Sequence, residues 1–250
     1  MQNNEIKLHF VGAGPGAMDL ITLRGARLLN RAKVVVYTGS LVNRDMLEYC
    51  PQAEVYNSAD MTLNELIDLM ADAVSCGKEV VRLQTGDPSI YGAIREQMDA
   101  LDKLGIRYDS CPGVSACFGA ASSLNLEYTL PGVSQSLIIT RMAGATGVPE
   151  KESIESFASH RATMAIYLSA SMLEELSERL VNGGYSRNTP AAIVYKATWE
   201  EEKKIICTVG NLAAKAAEEG ITKTALILVG DVIDTVNYDR SVLYSEDKRL

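Results

Sequence analysis

The sequence predicts an α/β fold with two domains, the first built on a mostly parallel sheet and the second on a mixed sheet. Three observations lead to this prediction. Short β-branched runs alternate with longer helical patterns through the first half, which is typical of βαβ units. The periodicity breaks at residues 125–132 (NLEYTLPG) and then restarts. In the second half, a polar WEEEK segment joins two consecutive strand patterns, which indicates a hairpin and therefore an antiparallel pair.

The first domain is predicted to span residues 1–125. Its clearest helix is 63–75, where Leu63, Leu66, Ile67 and Met70 have the spacing of one helical face. The predicted order is strand 6–11, glycine-rich turn 12–17, helix 19–31, strand 33–37, helix 63–75, strand 79–84, helix 88–104, strand 106–108 and helix 115–124.

The second domain is predicted to span residues 126–238, and a polar tail covers 239–250. Its elements follow from the same alternation of apolar runs and helical periodicity. They are strand 136–141, strand 163–168, helix 171–181, strand 191–197, strand 203–208, helix 212–218 and strand 224–229.

Composition and charge exclude several classes of protein. The chain has 24 Lys and Arg against 32 Asp and Glu, a net charge of −8, so no basic face for nucleic acid is expected. The five cysteines include no CxxC pair, and His9 and His160 are the only histidines, so we predict no disulfide framework and no metal site. No apolar run approaches the roughly 20 residues that span a bilayer, and the N-terminal segment has no signal-peptide pattern. We therefore expect a cytoplasmic protein with no membrane partner.

The turn at residues 12–17 (GAGPGA) follows the first predicted strand, which is where parallel α/β proteins bind ligands. Gly12, Gly14 and Ala17 fit the dinucleotide fingerprint G-x-G-x-x-G/A. Pro15, however, stands where a helix should donate N–H groups to a pyrophosphate. The second strand ends in Thr38 rather than in an acid that could bind a ribose hydroxyl. An NAD-linked oxidoreductase stays a weaker alternative, and so does a nucleotide-sensing module without catalysis.

Two further loops follow predicted strands. In TGDPSIYG (85–92), Asp87 fits a helix N-cap before Pro88, and it fits a ligand-binding role equally well. The third loop, PGVSA, covers residues 112–116. Because the carboxyl ends of parallel strands meet at one edge of the sheet, the three loops predict one cleft.

These segments, taken in order, resemble the tetrapyrrole (corrin/porphyrin) methyltransferases. The resemblance rests on GAGPGAMDLITLRG, VVVYTGSLV, QTGDPSIYGAI, CPGVSA, TR, IYLSAS and TPAAIVYKATW, and runs from Leu8 to Asp231. It implies two α/β domains, S-adenosylmethionine bound in the active-site cleft between them, S-adenosylhomocysteine as the product, and a homodimer. The family's cofactor contacts fall here on Pro15, Thr85, Gly86, Asp87, Ile90, Ser115, Ala116, Leu168 and Ala197.

Within the family, YTGSLVN and ITRMAGATGVPE resemble the branch of cobalamin biosynthesis that methylates C11 of precorrin-4 or cobalt-precorrin-4. Relatives that act on uroporphyrinogen carry an Asp after the Tyr of the second strand and a Lys after the third strand. In this sequence the first place holds Thr38. By the resemblance, the family's third strand runs here into the stretch from Asn57 to Ala59, ahead of the predicted helix 63–75. Another precorrin or uroporphyrinogen methyltransferase is therefore the alternative within the family.

A tetrapyrrole substrate carries many carboxylates, so an acidic enzyme needs local cations to hold it. Thr38 and Arg141 are the candidates for positioning the substrate, and no general base is identified. The other candidate cations are Arg24, Arg82, Arg95 and Lys196.

Overall fold

The computed structural model describes residues 6–241, and within them the chain divides into two compact units. Unit 1 comprises the residues up to Ala116 together with Thr198–Glu200. Unit 2 comprises Cys117–Ala197 and the residues from Glu201 onward. The domain boundary at 125/126 stays a prediction, because compactness does not show which segments fold independently. Most of the tail predicted at 239–250 lies outside the described residues.

Unit 1 is built on a five-stranded sheet in the order β3-β2-β4-β1-β5, and all of its strand pairs are parallel. Its strands are β1 (Leu8–Gly12), β2 (Val34–Tyr37), β3 (Glu54–Asn57), β4 (Val80–Gln84) and β5 (Tyr108–Cys111). Its helices are α1 (Leu23–Arg31), α2 (Leu63–Ser75) and α3 (Ile94–Lys103), with 3-10 helices at Met18–Leu20, Gly39–Leu41 and Arg44–Tyr49.

The two faces of this sheet carry different helices. Alternate β1 residues point to opposite faces, so Val11 packs with α1 while Leu8 and Phe10 pack with α2 and α3. Helix α1, which connects β1 to β2, lies on one face of the sheet, and helix α3, which connects β4 to β5, lies on the opposite face. Strands β1 and β4 are neighbours, so the topological switch point lies between them. This is where open α/β sheets bind ligands.

Unit 2 contains a mixed sheet in the order β6-β7-β10-β8-β9, in which only β6 and β7 pair in parallel. Its strands are β6 (Leu137–Arg141), β7 (Thr163–Tyr167), β8 (Pro190–Tyr195), β9 (Lys203–Thr208) and β10 (Ala225–Val229). Its helices are α4 (Ala116–Leu124), whose first residue closes unit 1, then α5 (Ile154–Ala158), α6 (Leu173–Asn182) and α7 (Leu212–Glu218). Further 3-10 helices lie at Glu150–Glu152, Val209–Asn211 and Asp231–Ile233. The predicted α/β class, with a parallel first sheet and a mixed second sheet, is confirmed.

Several predicted boundaries in unit 1 were wrong. The helix predicted at 19–31 begins at Leu23, because Thr22 is extended and its Oγ1 caps the N–H of Gly25. The helix predicted at 88–104 begins only at Ile94, because Tyr91 and Ala93 have positive φ. The strand predicted at 106–108 lies at Tyr108–Cys111. Within residues 6–241, no helix combines the length and the apolar character needed to cross a bilayer.

Candidate functional site

The loops after β1 and β4 are joined by backbone hydrogen bonds beyond the ends of the strands. Gly14 N–H donates to the Gly86 carbonyl at 3.2 Å, and Gly86 N–H donates to the Gly14 carbonyl at 2.9 Å. Both residues have positive φ, +82° and +60°, a region in which side chains with a Cβ are strained. The two loops are therefore fixed to each other at the switch point of the sheet.

The loop after β5 joins them through direct contacts between glycine backbones. A Cβ on Gly113 would lie 2.1 Å from the Gly86 carbonyl oxygen, and a Cβ on Gly12 would lie 2.5 Å from the same oxygen. A Cβ on Gly86 would lie 3.6 Å from the Ser115 Cα and 3.7 Å from the Ala116 nitrogen. Three strand ends thus approach one another at distances that only glycine permits.

Asp87 holds two of these loops together. Its Oδ2 accepts a hydrogen bond from Gly113 N–H at 2.9 Å, and its Oδ1 accepts from Ser89 N–H at 2.9 Å and from Ser89 Oγ at 2.5 Å. No helix begins at Pro88, so the N-cap interpretation of Asp87 was wrong. Burial raises the pKa of this carboxyl, but the hydrogen bonds from Ser89 and Gly113 lower it by more, so the net direction is downward. Asp87 is therefore ionised at neutral pH.

The glycine-rich turn does not lead into an α-helix. The 3-10 helix Met18–Leu20 follows it, and α1 begins only at Leu23. A dinucleotide fold places its pyrophosphate on the N-terminus of a helix that opens directly from this turn. That geometry does not occur here, and Thr38 stands at the end of β2 where an acid would bind the ribose. The geometry therefore disfavours the NAD-linked alternative.

The structure brings together the cofactor residues predicted in unit 1. Pro15, Gly86 and Ser115 are buried, and Thr85, Asp87 and Ile90 are partly buried. All of them lie on the three loops that follow β1, β4 and β5, and Ala116 is the first residue of α4. Gly12, Gly14 and Gly113 were not among the predicted contacts, although the glycine spacing of the turn and the PG pair were signals for them.

The two cofactor residues predicted in the second half lie in unit 2, each just after a strand. Leu168 follows β7 with φ of +53° and is 63% exposed, which is unusual for a leucine. Ala197 follows β8 and is buried. Their role as cofactor contacts stays a prediction.

Thr38 follows β2 and carries a buried hydroxyl. Its Oγ1 has no hydrogen-bond partner within residues 6–241. The loop around it is fixed, since the Tyr37 carbonyl accepts from Ser58 N–H at 3.0 Å and from Ser58 Oγ at 3.1 Å. A buried hydroxyl without a partner is costly, so a ligand that bonds to it is one explanation for its position.

The candidate cations have different environments. Arg141 donates to the carbonyls of Met142, Thr146 and Gly147, so its guanidinium organises the loop after β6. Arg82 is buried beneath the sheet against Gln97, and burial lowers its pKa to about 10. The others lie nearer the surface: Arg24 is exposed on α1, Arg95 pairs with Asp99, and Lys196 pairs with Glu201.

The described residues contain no group of three or more His, Cys, Asp and Glu side chains arranged to hold a metal ion.

Two side-chain N–H donors that the sequence patterns did not single out contact the glycine-rich turn. Trp199 Nε1 donates to the Pro15 carbonyl at 2.9 Å, and Asn43 Nδ2 donates to the Gly16 carbonyl at 3.1 Å. The local sequence around the turn carries no sign of either contact, although Trp199 is the only tryptophan of the chain.

Comparison with known proteins gives concordant matches over nearly the whole chain. A cobalt-precorrin-4 C(11)-methyltransferase of Methanocaldococcus jannaschii is 51% identical over 99% of this chain and 95% of its own length. A precorrin-4 C(11)-methyltransferase of Mycobacterium tuberculosis is 42% identical over 95% of this chain and 96% of its own length.

Solved structures agree with the sequence matches. A cobalt precorrin-4 methyltransferase described as a cobalamin biosynthetic enzyme matches with a TM-score of 0.89 and 43% identity, over 91% of this chain and 96% of its own. A Thermus thermophilus uroporphyrin-III C-methyltransferase complexed with S-adenosyl homocysteine matches with a TM-score of 0.74 and 26% identity, over 91% and 93%. Residues 7–213 match the family model, so the chain belongs to the Tetrapyrrole (Corrin/Porphyrin) Methylases.

Proposed function

We propose that the chain is an S-adenosylmethionine-dependent methyltransferase that methylates C11 of cobalt-precorrin-4 or precorrin-4 in cobalamin biosynthesis. The observation that carries the cofactor assignment is the contact among Gly12, Gly86 and Gly113 at the switch point of the parallel sheet. The substrate assignment rests on the reaction in the names of the two relatives compared above. We also propose that the protein acts in the cytoplasm and that it is a homodimer. Light scattering on purified protein would test the dimer.

The residues present fit a cofactor of this kind. The close contacts among the glycine backbones bring the three loops together, so the main chain of each loop can approach one bound ligand. Pro15, Thr85, Gly86, Asp87, Ile90, Ser115 and Ala116 would hold it in unit 1, with Leu168 and Ala197 as the contacts proposed from unit 2. S-adenosylmethionine supplies an electrophilic methyl group on a positively charged sulfur.

The charge of Asp87 suits this chemistry. The positive charge on sulfur disappears as the methyl group leaves, so a strongly anionic pocket at sulfur would stabilise the reactants more than the transition state. Three hydrogen bonds from Ser89 and Gly113 already compensate the Asp87 carboxylate. The chain therefore contributes mainly orientation and exclusion of water.

Two measurements test the proposal together. Calorimetric titration with S-adenosylhomocysteine, and separately with NADH, should show binding of the first alone. Incubation with S-adenosylmethionine and either precorrin-4 or cobalt-precorrin-4 should add one methyl group, detected by mass spectrometry and placed at C11 by NMR. NADH binding without S-adenosylhomocysteine binding would contradict the cofactor. Methylation of uroporphyrinogen III in place of both precorrins would favour the alternative within the family.

Thr38→Val tests whether the buried hydroxyl serves the substrate. Valine keeps the shape of threonine and removes an unpaired Oγ1, so we expect the unfolding temperature to stay equal or rise. We expect kcat with the tetrapyrrole to fall about tenfold, the order of one lost hydrogen bond, with S-adenosylhomocysteine affinity unchanged. Thr38→Ser should restore most of kcat. Unchanged kcat in Thr38→Val would refute the role of Thr38.

A further inference from the structure

Trp199 packs directly on the glycine-rich turn. A Cβ built on Gly16 would lie 2.0 Å from Trp199 Cδ1 and 2.4 Å from its Nε1, so the indole occupies the space that a side chain at position 16 would need. The same ring donates its N–H to the Pro15 carbonyl at 2.9 Å. The indole therefore contacts two consecutive residues of the turn, one by packing and one by a hydrogen bond.

The neighbouring backbone groups of the turn are held in the same way. Ala17 N–H donates to Thr198 Oγ1 at 3.0 Å, and the Gly16 carbonyl accepts from Asn43 Nδ2 at 3.1 Å. Consecutive peptide groups of the turn thus bond to side chains from distant parts of the sequence. Because neither a strand nor an α-helix continues through residues 15–17, these side chains fix the conformation that a sheet or helix would otherwise fix.

The segment that carries Trp199 is itself constrained. Thr198 has φ of +69°, a left-handed conformation that is costly for a β-branched residue. Thr198–Glu200 are also the only residues of the second half of the described chain that belong to unit 1. Strain of this kind persists where surrounding contacts impose it, and here the Thr198 and Trp199 side chains both bond to the glycine-rich turn.

We propose that Trp199 is a positioning residue for the cofactor: its indole holds the Pro15 and Gly16 segment in the conformation that binds S-adenosylmethionine. The proposal rests on the proposed function, because it assigns that cofactor to the glycine-rich turn. Trp199 acts through the backbone of the turn and has no assigned part in the transfer step. Its removal should therefore change cofactor affinity and KM more than kcat.

Trp199→Phe is the mild test, because it keeps an aromatic ring and loses the N–H. We expect the dissociation constant for S-adenosylhomocysteine and the KM for S-adenosylmethionine to rise about fivefold, the order of one hydrogen bond, while kcat at saturation changes less than about twofold. Tyr185→Phe is the matched control, since the Tyr185 hydroxyl also donates to a backbone carbonyl, that of Ala162 in unit 2. It should lower the unfolding temperature and leave cofactor affinity unchanged.

A double-mutant cycle tests the packing contact. Gly16→Ala alone should weaken S-adenosylhomocysteine binding more than about tenfold, because its methyl group collides with the indole. In a Trp199→Ala background the collision is gone, so the same substitution should cost less than about twofold. Equal costs in the two backgrounds would overturn the proposal. Thermal unfolding of each variant shows that the comparison is made on folded protein.

The outcomes separate this proposal from the proposed function. If the unmodified protein fails to bind S-adenosylhomocysteine, the proposed function is wrong and the role of Trp199 falls with it. If the unmodified protein binds and Trp199→Phe binds equally well, only the positioning role is wrong. Because Trp199 is the single tryptophan, the tryptophan fluorescence of the protein comes from this residue alone. We expect saturating S-adenosylhomocysteine to shift its emission, and an unshifted emission would contradict the proposal.

Discussion

Gly113→Ala should abolish binding of S-adenosylhomocysteine. The added methyl group would lie 2.1 Å from the Gly86 carbonyl oxygen and 2.8 Å from the Gly12 Cα, and both neighbours are backbone atoms that cannot rotate away. The loops after β1, β4 and β5 would have to separate, which also breaks the hydrogen bond from Gly113 N–H to Asp87. We expect affinity to fall more than about a hundredfold, equivalent to about 3 kcal/mol, in a calorimetric titration.

Gly144→Ala is the control for this substitution. Gly144 also lies in a loop, but no atom comes within 4 Å of the Cβ that alanine would add. The Gly144→Ala variant should match the unmodified protein in its affinity for S-adenosylhomocysteine and in its unfolding temperature. If Gly113→Ala binds S-adenosylhomocysteine as tightly as Gly144→Ala does, the three-glycine contact does not form the cofactor site.

Local signals were sufficient to predict several elements to the residue. Helix α2 begins and ends where the sequence predicts because Thr62 and Glu65 form a capping box and its apolar residues keep the spacing of one face. The hairpin of β8 and β9 follows from two apolar runs on either side of a polar segment, although β8 ends at Tyr195 rather than at residue 197. In these places the information needed to define the element lies within a few residues of it.

Elsewhere tertiary contacts decided the structure. Residues 88–93 have the composition of a helix start, but Tyr91 and Ala93 adopt positive φ, and a Cβ on Gly92 would lie 2.2 Å from the Pro88 carbonyl oxygen. Strand β3 is mostly exposed at the edge of its sheet and has no apolar run, so its pattern does not mark it. Local propensity does not contain these constraints.

The candidate site was predictable in outline for a topological reason. Loops after parallel strands converge at one edge of a sheet, so the loops containing Gly14, Gly86 and Ser115 could be grouped from the sequence. The order of strands in the sheet could not be derived this way, and it decides that these three loops are neighbours. Trp199 lies 184 residues from Pro15, and no periodicity or turn rule reports a contact at that separation.

Asp87→Asn should weaken S-adenosylhomocysteine binding about thirtyfold, equivalent to about 2 kcal/mol from charge-assisted hydrogen bonds. Both carboxylate oxygens accept from N–H or O–H donors, on Gly113 and on Ser89. An asparagine would turn its NH2 group toward one of these donors, so one side of the junction would lose its bond. Asp87→Ala, which removes all three bonds, should weaken binding at least as much.

The pH dependence of binding gives an independent check on Asp87. Because hydrogen bonds lower its pKa below the ordinary value of about 4, the ionised carboxylate stabilises the loops above that value, and the contribution disappears as pH falls through the folded pKa. We therefore expect Asp87 to cause no change in affinity between about pH 5 and 8 and a loss of affinity only in stronger acid.

Asp99→Asn is the control for Asp87→Asn. It removes the same charge from a surface pair with Arg95 and should leave affinity unchanged. If Asp87→Asn and Asp99→Asn bind S-adenosylhomocysteine equally well, the carboxylate of Asp87 does not hold the cofactor loops together.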